Sequence, residues 1–319
     1  MEQNSGKINW NTGGGLAAII LWSTTIAVAR RLSEQTGPLT AGACVYLIGG
    51  VLYWLWLAGS GTRLRRLRRL SRRYVCGCGS LFVLYTLLVY LAIGSAADHQ
   101  QVLEIGLVNY LWPVATILLS LVLLHERASA LLVPGTVLAL AGEFLVITQG
   151  APVSWRSFAG HLQANPAPYA LALVAAVSWA LYSTLTRRWS QPGADGAVAL
   201  FIPAAGLVLL LMRFVARESS AWTPRAAGEA AVLAALTVLA YAFWDAAMRK
   251  GNLLLVTACS YFTPLLSTLV SCAYLRVVPE WRLWVGCLVL VTGSFLTWRS
   301  VSGRSSTPPR QPGAMSTSA

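Results

Sequence analysis

The feature that most constrains this chain is a succession of ten apolar segments, each close to the length of a membrane-spanning helix. A helix needs about 20 mostly apolar residues to cross a bilayer. The segments cover residues 13–31, 39–58, 74–95, 101–124, 130–148, 168–187, 197–216, 229–248, 254–275 and 283–299. Runs of this length and number predict an all-α, polytopic membrane protein with ten transmembrane helices.

The composition excludes the other classes of protein. Hydrophobic residues make up 56% of the 319 positions and charged residues only 11%, against roughly 25% charged residues in an average soluble domain. A disordered chain needs few aromatic residues and many charges, and a soluble domain needs more polar surface than this chain offers. The formal net charge of +13 is typical of the excess of Arg and Lys in cytoplasmic loops.

The positions of these charges predict the orientation in the membrane. If the N-terminus is cytoplasmic, about two thirds of the 24 Lys and Arg residues fall on the cytoplasmic side, so both termini are expected inside. The run from Arg63 to Arg73 contributes most to this bias. We interpret it as a loop that fixes topology, with contact to anionic lipid or nucleic acid as the alternative, and we expect no nucleic-acid partner.

The two halves of the chain repeat each other. The motif Asn109-Tyr-Leu-Trp-Pro113 matches Ser260-Tyr-Phe-Thr-Pro264 at an offset of 151 residues, and Trp22 matches Trp179 at an offset of 157. The first offset also pairs Gly135 with Gly286, Gly142 with Gly293, and Tyr90 with Tyr241. Because each half has five segments, the second copy inserts upside down. Inverted repeats are typical of secondary transporters with a substrate site near the membrane midplane.

The repeat divides the chain into two units and their flanks. Residues 1–12 form a cytoplasmic N-terminus, 13–150 the first five-helix repeat, 151–167 a periplasmic linker, 168–302 the second repeat, and 303–319 a disordered cytoplasmic tail. The last assignment follows from the Ser- and Pro-rich composition of the tail.

Aromatic residues near the centres of the segments are candidate substrate-binding residues. Tryptophan and tyrosine normally lie at the membrane surfaces, and in hydrocarbon their polar atoms need partners. Such residues should therefore point toward other helices or a watery cavity. Simple core packing with a helix-to-helix hydrogen bond is the alternative. The set consists of Trp22, Tyr46, Tyr85, Tyr110, Trp112, Trp179, Tyr182, Tyr241 and Tyr261, together with Asn109.

Two prolines are predicted to kink helices beside these residues. Proline has no N–H, so it leaves the carbonyl four residues earlier unpaired. Pro113 frees the carbonyl of Asn109 and Pro264 frees that of Ser260. These acceptors could bind a substrate ammonium, or the kinks could simply let helices cross closely.

Three carboxylates within the segments are possible coupling residues. An ionisable residue inside a membrane span is a functional candidate by default. Glu104 and Glu143 lie toward the outer side, and Asp245 lies near the inner end, four residues before Arg249. A helical i,i+4 ion pair is the alternative role for Asp245. The cysteines and histidines form no ligand pattern and no enzyme motif is present, so neither a cofactor nor a metal is expected.

With these motifs, and with His125-Glu126-Arg127 after the fourth segment, the chain resembles the drug/metabolite transporter superfamily, EamA type. It is most similar there to bacterial aromatic amino acid exporters. The carrying stretches are 21–24, 102–113 and 251–264. The resemblance implies ten helices, cytoplasmic termini, and a central cavity walled by Trp112 and Trp179. The chain departs from the pattern after the ninth helix, where Val277 replaces the usual Glu and Glu280 follows three residues later.

The sequence therefore predicts a secondary transporter rather than an enzyme. It would export amino acids, aromatic ones included and threonine and methionine as further candidates, by alternating access. The resemblance implies that it works as a monomer or weak homodimer in the lipid bilayer of the bacterial inner membrane. A multidrug or quaternary-ammonium exporter of the same superfamily is the alternative, because aromatic walls also attract organic cations. A membrane enzyme would need a catalytic pair of polar residues that the sequence does not supply.

Overall fold

A computed structural model describes residues 9–148, 155–275 and 281–302, and these residues contain no β-strand. The helices are α1 (Trp10–Thr36), α2 (Pro38–Ala58), α3 (Gly61–Leu67), α4 (Gly79–Gly94), α5 (His99–Asn109), α6 (Trp112–Leu123), α7 (Leu132–Ile147), α8 (Trp155–Ala164), α9 (Ala167–Trp189), α10 (Val198–Ala216), α11 (Pro224–Lys250), α12 (Leu253–Cys259), α13 (Phe262–Leu275) and α14 (Trp281–Ser302). A π-helical turn, Tyr74–Cys78, leads into α4. The predicted all-α membrane fold is confirmed.

Each predicted segment contains helix, but fewer than ten helices are unbroken spans. Within the described residues, seven helices are long and apolar enough to cross a membrane, and the number rises to nine when two bent pairs are each counted as one span. Helix α7 is also apolar but has only 16 residues. The exact number of ten spans remains a prediction.

Several helices begin where a polar side chain caps the first backbone N–H groups. Asn9, Asp98, Thr223 and Asn252 each accept a hydrogen bond from the N–H three residues later, at 2.7–3.1 Å. A capping oxygen satisfies a donor that the helix itself leaves unpaired. The loop residues thus fix where α1, α5, α11 and α12 start.

Two helices are interrupted at the predicted proline positions. The fourth span is divided between α5 and α6 at Tyr110 and Leu111, just before Pro113. The ninth span is divided between α12 and α13 at Ser260 and Tyr261, with a bend of 42°. The interruptions therefore lie at equivalent places in the two halves, as the proline spacing predicts.

The main contacts between helices are preserved when each helix is replaced by its equivalent from the other half. Helix α1 packs on α11 as α9 packs on α4, and α2 packs on α11 as α10 packs on α4. Helix α2 also packs on its equivalent α10, and α7 on its equivalent α14. The core therefore lies between the halves, and residues from both halves meet there.

Glycines bring α7 and α14 into backbone contact. A Cβ on Gly142 would meet the backbone of Leu290, and one on Gly293 would meet the backbone of Ala139. A Cβ on Gly135 would lie 2.6 Å from the backbone nitrogen of Thr297. Small residues permit this close approach between membrane helices. The 151-residue offset pairs Gly135 with Gly286 and Gly142 with Gly293, so the repeated glycines form this interface.

Two short helices occupy stretches outside the predicted spans. Helix α3 lies in the arginine-rich run, where the guanidinium of Arg63 sits 4.0 Å from the ring centroid of Trp56. Helix α8 lies in the stretch assigned to the periplasmic linker. The assignments for residues 1–8, 149–154 and 303–319, and the departure at Val277 and Glu280, lie outside the described residues.

Candidate substrate site

A cluster of aromatic side chains from both halves fills the centre of the bundle. The ring of Trp179 on α9 lies 6.0 Å from that of Trp22 on α1 and 6.3 Å from that of Trp112 on α6. The rings of Tyr85 and Tyr182 lie 4.7 and 5.0 Å from that of Trp179. Edge-to-face and offset ring contacts at such distances stabilise aromatic pairs. The structure thus brings together five of the candidate residues.

The other tyrosines of the cluster join α2 to α11. Tyr46 and Tyr241 share a hydrogen bond of 2.7 Å between their hydroxyl oxygens, and the ring of Tyr241 lies 5.5 Å from that of Trp22. Both side chains are buried. Each phenol was predicted to need a hydrogen-bond partner, and here each hydroxyl is the partner of the other.

Two members of the cluster were not predicted from the sequence. Trp244 is fully buried, and its ring lies 5.2 Å from that of Trp22. Phe82 lies 4.9 Å from Tyr241, ring to ring. Trp244 follows Tyr241 by three residues on α11 and therefore shares its face, a spacing that could have identified it. Phe82 has no polar atom, so a search for buried polar aromatics does not find it.

A small cavity adjoins the aromatic cluster. Its volume is about 130 Å³, with Trp22, Tyr46 and Tyr241 on one side and Ser33 and Ala41 toward the end of the bundle. Since such a space holds a water once it exceeds about 10–15 Å³, the cavity has room for several waters beside the rings. In this conformation the predicted cavity walls contact each other, so substrate entry requires these side chains to separate.

The remaining candidates lie at the two helix interruptions. Asn109 lies at the end of α5 near the phenol of Tyr85, and its Oδ1 is buried with no hydrogen-bond partner among the described residues. Tyr110 is partly buried against the aromatic cluster. Tyr261 belongs instead to a second apolar cluster with Ala139 and Leu290. The two interruptions therefore contribute to different apolar clusters.

Glu104, in the middle of α5, is held in a hydrogen-bond network. It is fully buried and accepts a short hydrogen bond from the hydroxyl of Tyr169. The Nδ1 atom of His161 on α8 lies 3.1 Å from Oε2, and Gln100 donates to Oε1 at 3.3 Å. A buried carboxyl with this many partners is structurally satisfied, and the network holds α8 against α5 and α9.

Asp245 forms the ion pair that its spacing suggested. The Nη2 atom of Arg249 lies 2.6 Å from Oδ2 of Asp245 and 2.5 Å from Oδ1 of Asp195. Tyr74 donates to Asp245 at 2.6 Å, and Arg249 also donates to the carbonyl of Ala194 at 2.8 Å. This charge network joins α11, the π-helical turn and the α9–α10 loop at one end of the bundle.

Glu143 differs from the other two carboxyls. It is buried, and neither of its oxygens has a hydrogen-bond partner among the described residues. Ala139 and Val146 lie on the same face of α7 and are buried in the second apolar cluster. The described residues also contain no group of His, Cys, Asp and Glu that could hold a metal ion.

Both halves of the chain match a known family in sequence. The model of the EamA-like transporter family matches residues 12–148 and 167–299, so each half of the chain matches it separately. The chain belongs to the EamA-like transporter family. As an EamA-like protein it is a membrane transporter and not an enzyme.

Named relatives match most of the length of this EamA-like transporter. It is 32% identical over 285 residues to the aromatic amino acid exporter YddG of Escherichia coli (strain K12), covering 89% of this chain and 95% of the relative. It is 31% identical to the YddG exporter of Salmonella typhimurium (strain 14028s / SGSC 2262) over 91% of this chain and 97% of the relative. A solved crystal structure matches with a TM-score of 0.75 at 28% identity, covering 91% of this chain and 98% of that one.

Proposed function

We propose that this transporter exports amino acids, aromatic ones included, across the bacterial inner membrane. The observation that carries the proposal is the central cluster, in which Trp22 and Tyr46 of the first half meet Trp179 and Tyr241 of the second. Full-length relatives that are named aromatic amino acid exporters support the same class of substrate. Threonine and methionine are included in the proposal as smaller substrates.

The substrate side chain would bind between rings that now contact each other. An aromatic or thioether side chain can replace these ring contacts with contacts of its own. Asn109 has a free amide oxygen beside the cluster, which suits a substrate ammonium group. Trp112 and Trp179 would form the walls, with Tyr85, Tyr110, Tyr182 and Tyr261 nearby.

Alternating access would move the two halves against each other around this cluster. The packing that is preserved on exchange of the halves supports two inverted repeats, which commonly transport by this route. The small cavity extends toward the end of the bundle that the charge rule places outside, and the Arg249 network closes the opposite end. We accordingly assign this conformation to the outward-facing side of the cycle, with both termini in the cytoplasm.

A flux assay with the purified protein in liposomes tests the function. Protein-containing liposomes loaded with unlabelled phenylalanine should accumulate labelled phenylalanine, tryptophan, threonine or methionine faster than empty liposomes, which contain no transporter. Absence of flux above empty liposomes for all four amino acids would overturn the proposal. Uptake of cationic dyes and quaternary ammonium compounds in their place would favour the multidrug alternative.

A further inference from the structure

We propose that Glu143 is the proton-binding residue of this transporter, an inference that rests on the proposed amino acid export. Three intramembrane carboxyls are available, but two already have partners. Glu104 is bound by Tyr169, His161 and Gln100, and Asp245 is bound by Arg249 and Tyr74. Only at Glu143 does the described structure leave both carboxyl oxygens buried without a hydrogen bond.

The surroundings of Glu143 favour its neutral form. An isolated carboxylate in an apolar interior is so costly that the group takes up a proton instead. Ala139 and Val146, four residues before and three after Glu143, are buried beside Leu290 of α14 in the second apolar cluster. No described residue forms an ion pair with Glu143. In this conformation the carboxyl therefore carries a proton on one of its oxygens.

Among the residues whose side chains are described, the titratable groups near Glu143 are hydroxyls and a thiol. Tyr110 at the α5–α6 interruption and Tyr261 at the α12–α13 interruption lie within electrostatic range of the carboxyl. Cys287 of α14 packs against the same cluster. The hydroxyl of Tyr261 is itself buried without a described partner.

A route of contacts connects Glu143 to the aromatic cluster. Tyr110 lies within electrostatic range of both Glu143 and Tyr85, and the ring of Tyr85 lies 4.7 Å from that of Trp179. Because Tyr110 packs against the aromatic cluster, substrate that separates these rings would act on the interruption that carries Tyr110. The coupled cycle would take up a proton at Glu143 from the outer side and release it to the cytoplasm, while the amino acid moves outward.

The first test measures the proton directly. Infrared difference spectra between hydrogen- and deuterium-exchanged protein in lipid should show the C=O stretch of a protonated, buried carboxyl at neutral pH. The band should disappear in Glu143→Gln and remain in Glu34→Gln, which changes the same side chain at an exposed position. An unchanged band in Glu143→Gln would overturn the proposal.

The second test separates coupling from transport. Wild-type liposomes loaded with phenylalanine should release it faster when the outer pH is lower than the inner pH, so that protons flow inward. Glu143→Gln should lose at least most of this response and keep exchange at equal pH. Glu143→Leu, which removes the buried carboxyl altogether, should be at least as heat-stable as wild type. It should also lack the gradient response, as Glu143→Gln does. A gradient response retained in both variants, or absent from a wild type that exchanges phenylalanine, overturns the proton proposal. Absence of exchange in the wild type instead overturns the proposed function.

Discussion

The hydroxyl oxygens of Tyr46 on α2 and Tyr241 on α11 lie 2.7 Å apart in the buried centre of the protein. Each tyrosine comes from a different half, so the bond holds the two halves together where the substrate path is proposed. A buried polar atom that loses its partner costs about 1–3 kcal/mol. The bond therefore contributes to keeping the aromatic cluster closed.

Replacing both of these tyrosines should destabilise the protein by less than the two single replacements add up to. We expect Tyr241→Phe to lower the free energy of unfolding by about 1–2 kcal/mol, because the hydroxyl of Tyr46 loses this partner. The double variant Tyr46→Phe with Tyr241→Phe should cost less than the sum of the single changes. Thermal unfolding in detergent measures this, and strictly additive effects would contradict a direct coupling between the two hydroxyls.

The glycines between α7 and α14 should not tolerate a methyl group. Gly142→Ala or Gly293→Ala would place a Cβ against the backbone of the facing helix, and overpacking of this kind costs about 1–3 kcal/mol. Gly228→Ala and Gly106→Ala are matched controls, because no atom lies within 4 Å of a Cβ at either position. Equal melting temperatures for both pairs of variants would show that the two helices do not meet at these glycines.

Removal of Arg249 should be more damaging than removal of either acidic partner. Arg249→Met leaves Asp245 buried without its charge partner, which costs about 3–5 kcal/mol. Asp195→Asn should cost less, because this side chain is 34% exposed. Combining Arg249→Met with Asp245→Asn should recover part of the lost stability. Unfolding of the three variants in detergent checks this order, and no recovery in the double variant would refute the pairing.

The same network predicts an acid dependence of stability. Burial acts to raise the pKa of Asp195, but the nearby guanidinium of Arg249 outweighs it and lowers that pKa below the ordinary value of 3.8. A carboxyl whose pKa is lower in the folded state stabilises the fold above the unfolded pKa and loses that contribution as pH falls through the folded pKa. Below about pH 4, wild type should therefore lose melting temperature faster than Asp195→Asn. Parallel curves would exclude this contribution.

Truncation of Trp179 should change transport. Its ring contacts the rings of Trp22, Trp112 and Trp244, so Trp179→Ala should alter amino acid flux several-fold and destabilise the fold by about 3–5 kcal/mol. Trp179→Phe should keep part of both properties. Trp155→Ala, at a residue 80% exposed, should leave flux unchanged. Normal flux in folded Trp179→Ala and Trp112→Ala would move the site elsewhere.

The sequence by itself determined the class of fold and the positions of the helix interruptions. Apolar length decides whether a segment can span the bilayer, and a proline removes a backbone hydrogen bond wherever it stands. Both are local properties, so Pro113 and Pro264 could be interpreted without a structure. The sequence also places Trp22 and Trp179 near the centres of their segments. Lipid offers an indole N–H no partner at that depth, so both side chains could be predicted to point inward.

Only the tertiary structure decided which of these residues meet and which have partners. Trp244 joins the cluster through contacts between distant segments. The spacing of Asp245 and Arg249 suggested their ion pair, but Glu104 and Glu143 look alike in the sequence, and only the fold brings His161 to Glu104 and no described partner to Glu143. Burial and hydrogen bonding depend on helices brought together from both halves of the chain. The free carboxyl of Glu143 is therefore a property of the packing, and no local pattern of residues distinguishes it.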